Sequence, residues 1–245
     1  PDETLEIWNK DAVLSDVVRA IRTFKPDVII NRFNHRNPGS THGHHTASAM
    51  LSFEAFDLVG DATKFPETAI TYGSWEPKRL LFNTSWWFYG SKEKFEKADK
   101  SNLVSVETGN YYPALGLSNG EIASLSRSMH KSQGFGSTGT RGKQTEYLEF
   151  LKGEFPQDTT NIFDGINTSW SRIEGGVAIG KILNPLLDSF NFQDPSTIVP
   201  QLVEAYRLLK DTKQGHWRSI KLKELEELIV ACSGVFLEAV ANKES

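Results

Sequence analysis

The sequence predicts an α/β fold, and three observations carry that prediction. An amphipathic helix pattern, Val13, Leu14, Val17, Val18 and Ile21, runs directly into the unbroken apolar stretch Val28-Ile29-Ile30. Further strand-like runs follow at Arg79–Phe82 and Leu103–Val106, with a helix pattern after Ser118. From Pro195 onward the apolar residues keep helical spacing. Helix, strand, helix and then further strands give a layered arrangement, expected to be a Rossmann-like parallel-sheet layer with a C-terminal α-helical extension. Residues 1–150 are the expected core. Residues 151–245 are the expected loop-rich connector and helical hairpin.

Taken in order, Pro1–Lys10 is polar and reads as an entry loop. The first helix is expected to end at Lys25-Pro26, because the residue before a proline is biased away from helix. Asp27–Phe33 reads as a strand. Its continuous Val-Ile-Ile predicts an interior parallel strand covered on both faces. A helix carrying Ala47, Met50, Leu51, Ala55 and Leu58 is expected to stop near Val59-Gly60. Thr63–Glu67 reads as loop. The aromatics Trp75, Trp86, Trp87, Phe88 and Tyr89 read as packing under long loops, with sugar stacking the sharper alternative.

Ser118-Asn119-Gly120-Glu121 fits a capping box. The helix it opens places Ile122, Leu125, Met129 and His130 on one face, which reads as a half-buried structural His130. Gly134–Lys143 is glycine-rich and reads as a lid or connector. It is no phosphate loop, since Ser137 stands where the first Gly belongs and Gln144 where Ser or Thr is needed. Its Arg141 is the residue suited to an anionic or sugar substrate. Thr145–Leu151 reads as a short helix and Val177–Leu187 as partly helical. In the tail, Ile198, Leu202, Val203, Tyr206 and Leu209 form one stripe. Leu222, Leu225, Ile229, Cys232, Phe236 and Val240 form another, so two packed helices are expected over 196–242.

Bulk composition narrows the function classes. The chain is 38% hydrophobic and 24% charged, an ordinary globular balance. A net charge of −4 argues against a nucleic-acid partner. No apolar run reaches the ~20 residues of a membrane span. The single Cys232 excludes an internal disulfide and a cysteine-based metal cluster. It sits in an apolar helical pattern and reads as a buried thiol. The chain opens at Pro1 rather than Met, which leaves room upstream for a leader, and so for export, or for a further segment of a longer parent chain.

The chemistry concentrates in Asn31–Met50, NRFNHRNPGSTHGHHTASAM. Four of the six histidines lie there: His35, His42, His44 and His45. A lone His is more often packed or solvated than a ligand. Four of them at a strand-to-helix junction, where α/β sheets gather ligands, point to metal or acid–base chemistry. His42 and His45 are three residues apart, which places both on one side of a helical turn; His44 is expected to face elsewhere.

THGHHTASA resembles the second conserved motif of the LmbE-like, or PIG-L, zinc-dependent N-deacetylases, roughly His-Pro-Asp-His before a small-residue helix. The outer histidines set the register. The resemblance implies that His45 is a Zn2+ ligand and that His42 is the catalytic His that stabilises the oxyanion or protonates the leaving amine. Gly43 and His44 replace the motif's Pro and Asp, the Asp being the group that orients the catalytic His. His130-Lys131-Ser132-Gln133 resembles a further family segment, which makes His130 a substrate contact beside Arg36, Asn37 and Arg141.

The family's first motif, His-Pro-Asp-Asp after a first strand, has no counterpart here. Pro1-Asp2-Glu3 looks like its end but is not assigned, because no strand precedes it. The resemblance covers about Val13–Gln133. It implies a metal-dependent hydrolase that, in the intact protein, removes the acetyl group of an N-acetylglucosamine-type amino sugar or glycoconjugate. With one assigned ligand, zinc is expected to be weakly held or absent in this chain, and the chain alone inactive. The alternatives are a non-catalytic carbohydrate-binding or scaffolding domain on the same fold, and a metal site built from the histidines alone.

Overall fold

The computed structural model describes residues 1–37, 41–133 and 136–235. They form two compact units, Pro1–Ile166 and Asn167–Ser245. The unit that holds the sheet therefore extends past residue 150.

In the first unit, α1 (Asp2–Trp8) and α2 (Lys10–Phe24) precede β1 (Val28–Asn31), α3 (Gly43–Leu58) and α4 (Pro66–Tyr72). Then come β2 (Arg79–Thr84), a 3-10 turn at Trp86–Tyr89, α5 (Lys92–Lys97) and β3 (Leu103–Glu107). A small hairpin of β4 (Tyr111–Tyr112) and β5 (Leu117–Ser118) leads into α6 (Asn119–Ser128), and β6 (Thr145–Gly153) closes the sheet.

The main sheet has the order β1-β2-β6-β3. β1 runs parallel to β2, whereas β6 is antiparallel to both β2 and β3. The sheet is thus mixed, within an α/β architecture followed by C-terminal helices. Ile29 packs with Leu14, Val18, Leu51 and Ala55 of the α1–α3 layer. Val28 packs against Leu81, Val104 and Leu148 in a separate cluster, together with Ile162. Each large aliphatic side chain so covered contributes ~1.5–3 kcal/mol.

Several expectations need correction. The polar segment Pro1–Lys10 contains α1, anchored by its one buried residue, Leu5. The stretch after Thr63 contains α4, which starts on Pro66 at the first helical position, where a missing N–H costs nothing. Thr145–Leu151 is not helical: it lies in β6, where Leu148 pairs with Asn83 on one side and Val104 on the other. β1 is an edge strand among the described residues, not an interior one, and Ile30 is 47% exposed.

Other expectations match. α2 ends at Lys25, whose left-handed backbone (φ 55°) caps it before Pro26. α3 ends with Val59 as its C-cap. The capping box is present: the Ser118 hydroxyl accepts from the Glu121 amide and the Glu121 carboxylate accepts from the Ser118 amide. The second unit holds a 3-10 turn (Trp170–Arg172), α7 (Val177–Ser189), α8 (Val199–Lys210) and α9 (His216–Ser233). Ile179, Leu202, Ala205, Leu209, Leu225 and Cys232 form its core, so the tail is the expected helical pair and Cys232 is buried. Phe236 and Val240 of the second stripe lie outside the described residues.

Candidate functional site

The parallel pair β1–β2 sets the site's position, because both strands end at the same sheet edge. Asn31 is opposite Phe82, and just beyond it the Arg32 guanidinium donates to the Asn83 carbonyl at 3.2 Å. Past β1 the chain turns through Asn34, whose buried side chain accepts from the Arg36 amide at 2.7 Å. Pro38, Gly39 and Ser40 lie outside the described residues. α3 then starts at this edge, and the side chain of buried Asn31 reaches back to the Ala49 carbonyl.

Three imidazoles gather where α3 begins. His42 is the N-cap, with an extended backbone (φ −64°, ψ 146°). The ring centroids of His42 and His45 are 5.5 Å apart, those of His44 and His45 4.2 Å, and those of His42 and His44 5.6 Å. The expected pairing of His42 with His45 is therefore present, but His44 does not face away. The helical count starts only at Gly43, so His42 lies outside the regular turn and swings back over both neighbours.

His45 stacks face to face on Phe33 at 3.9 Å, and its Nδ1 is buried without a hydrogen-bond partner. Loss of solvent, then the neighbouring His44 and His42, hold its pKa below the usual imidazole value, which favours the neutral, ligand-competent form. Gly43 packs close to α1: a Cβ there would sit 2.9 Å from Thr4 Oγ1 and 3.5 Å from the Pro1 nitrogen.

His35 belongs to a different cluster. Its ring stacks on Phe53 of α3 at 4.1 Å, with Lys152 Nζ 3.7 Å from the Phe53 ring centroid. Burial, followed by the positive Arg36, lowers its pKa against the opposing pull of Glu149. Arg36 is held by both oxygens of Glu149 at 2.7 Å, so any substrate carboxylate or hydroxyl must compete with that pair. Asn37 is exposed at the end of the described loop.

The two remaining candidates lie around α6. His130 falls beyond its end and is exposed, contrary to the half-buried reading; Met129 on the same face is 72% exposed. Arg141 pairs with Glu121 at 2.8 Å and donates to the Gly116 carbonyl, bracing the capping box. Residues 136–141 lie along α6, and Gln144 bonds to Glu107 and Thr108 at the end of β3. Ser118 Oγ donates to the Thr140 carbonyl at 2.6 Å, and the Ser137 amide donates to Ser128 Oγ at 3.1 Å. That segment is a pinned connector; Gly134 and Phe135 are outside the described residues.

The aromatic group divides. Trp75 precedes β2 and donates to the Pro26 carbonyl at 2.7 Å, at the far end of the strand. Trp86 and Trp87 follow β2 at the same sheet edge as the histidines and are 45% and 51% exposed. Packing accounts for Trp75. It does not account for the exposed faces of Trp86 and Trp87.

A catalytic zinc takes three protein ligands and an open position. Among the described residues no group of three or more His, Cys, Asp or Glu side chains is arranged to hold a metal ion. Comparison with protein-family models, curated proteins and solved structures gives no match. No described helix is long and apolar enough to cross a membrane.

Proposed function

We propose that this chain carries the imidazole part of the active site of an N-deacetylase of the LmbE-like, PIG-L type, acting on an N-acetylated amino sugar. We read the β1–β2 pair with its helices as the remnant of a Rossmann-like layer. The observation that carries the proposal is the gathering of His42 and His45 at the start of α3, at the edge where both parallel strands end. Ligands that complete a metal site would come from polypeptide beyond the described residues. Zinc, when bound, supplies a polarised carbonyl and an activated water.

The chain's own residues have defined tasks. His45, fixed by Phe33 and kept neutral, offers a ring nitrogen as a ligand. His42, at the positive end of α3, donates to the oxyanion that forms on the acetyl carbon and delivers a proton to the departing amine. Arg36, Asn37, His130 and Arg141 are assigned as substrate contacts; of these, Asn37 lies nearest in sequence to His42 and His45.

The test is deacetylation of an N-acetylglucosamine conjugate, with zinc binding measured in parallel, in the full-length protein. His45→Ala should abolish metal binding. His42→Ala should keep the metal and slow turnover by roughly 10²–10³-fold. Identical behaviour of the two variants would refute the roles.

A second reading rests on Trp86 and Trp87: the same edge binds carbohydrate without chemistry. Glycan binding that survives His42→Ala and His45→Ala but is lost in Trp86→Ala or Trp87→Ala would select it.

A further inference from the structure

The row of residues that crosses the sheet where β1 ends carries an acidic side chain with no task in the histidine chemistry. Asn31 of β1 is opposite Phe82 of β2, and Phe82 is opposite Glu149 of β6. Residues paired across a sheet point to the same face. Asn31 reaches the Ala49 carbonyl, so Glu149 stands on the face that α3 covers. Two strand spacings, roughly 10 Å, separate it from Asn31. Its side chain is 17% exposed.

Arg36, from the loop after β1, spans β2 to meet it. Nη2 contacts both Glu149 oxygens at 2.7 Å, and Nε donates to Oδ1 of the buried Asn34 at 3.3 Å. Nη1 makes no hydrogen bond among the described residues, and the Arg36 side chain is 46% exposed. Tyr89 lies beside the pair: burial, then the Glu149 charge, raise its pKa above the usual phenol value. Its ring packs on Phe95 at 4.9 Å. Trp86 and Trp87, in the same 3-10 turn as Tyr89, expose their rings. A cation paired with a carboxylate, beside exposed aromatic faces, is therefore built into the edge that holds the histidines.

We propose that Glu149 is a specificity-determining residue of this site: paired with Arg36, it forms a charge-neutral clamp for the hydroxyls of an uncharged N-acetylated sugar and discriminates against sugars that carry an anionic group. The inference rests on the reading of this edge as an amino-sugar site. Each Glu149 oxygen keeps acceptor capacity beyond its contact with Arg36, and Nη1 remains a donor. A sugar hydroxyl that competes for the guanidinium therefore donates to the carboxylate in return. A ligand carboxylate or sulfate gives nothing back. It must displace Glu149 and then lie against it as a like charge. The tryptophan faces accept the ring of either ligand, so the pair decides between them.

The experiment is a ligand-observed NMR titration of the full-length protein with N-acetylglucosamine and with its 6-sulfate. The uncharged sugar is expected to bind about tenfold tighter than the sulfate. Glu149→Gln keeps the shape, leaves the Arg36 charge unpaired, and should erase or invert that preference through tighter binding of the sulfate. Glu149→Asp, which keeps the charge, should keep the order of the wild type. Arg36→Gln leaves the Glu149 charge unpaired and should shift the preference towards the cationic sugar glucosamine. A role confined to holding the loop would weaken both sugars alike in Glu149→Gln and leave their ratio unchanged, and that result would overturn the proposal. Equal binding of the two sugars by the wild type would overturn it, as would no saturable binding of N-acetylglucosamine. Where hydrogen exchange over β6 shows Glu149→Gln unfolded, the Arg36→Gln shift decides. None of these readouts uses turnover. Loss of the deacetylase reading, through absent zinc binding or absent deacetylation, would therefore leave the clamp standing, and an unchanged ratio would leave the deacetylase reading standing.

Discussion

With Arg79, Arg22 is the largest fully buried side chain among the described residues of the first unit, and with all its donors used it should be the more costly to remove. It projects from α2 onto the end of α3, which carries the histidines at its other end. All five guanidinium N–H groups are used. Nε donates to the Val59 carbonyl at 3.2 Å, and Nη1 to the Phe65 carbonyl and Thr68 Oγ1 at 2.8 and 2.7 Å. Nη2 donates to the Leu58 and Asp61 carbonyls at 3.4 and 2.8 Å. The acceptors include the last carbonyls of α3, the negative end of its dipole, so the cation is matched without a carboxylate.

Arg22→Met keeps the aliphatic stem and removes five hydrogen bonds, while the Leu58, Val59, Asp61 and Phe65 carbonyls each keep at least one from a backbone N–H. Charge-assisted bonds are worth ~1.5–3 kcal/mol singly and are not additive, and removing one partner from a buried charged network costs ~3–5 kcal/mol. We expect a loss of ~3–5 kcal/mol, a large share of a typical domain's stability. Arg22→Lys, with three donors for five acceptors, should fall between. Hydrogen exchange resolved to peptides of α2, α3 and α4 is the assay, because it isolates this unit from the second. A change below about 1 kcal/mol in Arg22→Met would refute the reasoning, since it would mean that the remaining backbone donors and water satisfy the acceptors without the guanidinium.

Two further outcomes follow from the site. His35 has a folded pKa below its ordinary 6.5, so the native state binds fewer protons than the unfolded chain. Its contribution is complete above about pH 6.5 and is lost as the pH falls towards the depressed value. Urea unfolding at pH 8 and 5.5 should show that loss, with a smaller difference in His35→Phe. Gly43→Pro would suit the first position of α3 but for Thr4 Oγ1 at 2.9 Å from the new Cβ. It should cost about 1 kcal/mol alone and become neutral or stabilising in combination with Thr4→Ala; additive effects in that cycle would argue against the contact.

Local pattern sufficed where an element's partners are close in sequence. The α2 stripe, the Ser118–Glu121 box and the described part of the α8–α9 stripes all reappear, the stripes with the expected buried faces, whereas the face that α6 carries behind the box is exposed. It failed where distant chain decides. Tyr147, Leu148 and Leu151 carry helical spacing, while Leu148 and Phe150 also carry a strand's alternation. Pairing with both β2 and β3 selects the strand, and neither neighbour is visible from residues 145–151. Val28-Ile29-Ile30 reads as doubly covered, and Val28 and Ile29 are indeed packed on opposite faces. The exposure of Ile30 depends on whether a strand lies beyond β1, and a local apolar run carries no signal for that. Arg22 was missed for the same reason: its acceptors lie at residues 58–68, and an Arg on an amphipathic helix reads as solvated.

At the histidine cluster the error was a matter of where the helix begins, and it leads to the last prediction. Counting from His42 inside a helix puts His44 on another face. Counting from Gly43 makes His44 and His45 adjacent positions of the first turn, with His42 free to fold over them. His42 holds the N-cap without making a cap hydrogen bond. Ser, Thr, Asp and Asn are the residues that satisfy this position, and a non-capping residue there forgoes ~0.5–2 kcal/mol. A chain selected for stability alone would not place an imidazole there, so the choice itself argues that the ring is kept for chemistry. His42→Ser should raise unfolding stability by ~0.5–1 kcal/mol, read as added exchange protection in the first turn of α3, while deacetylation or ligand binding at the site falls. A variant that is both less stable and fully active would show that His42 is a structural cap, and the functional reading of the cluster would have to move to His44 and His45.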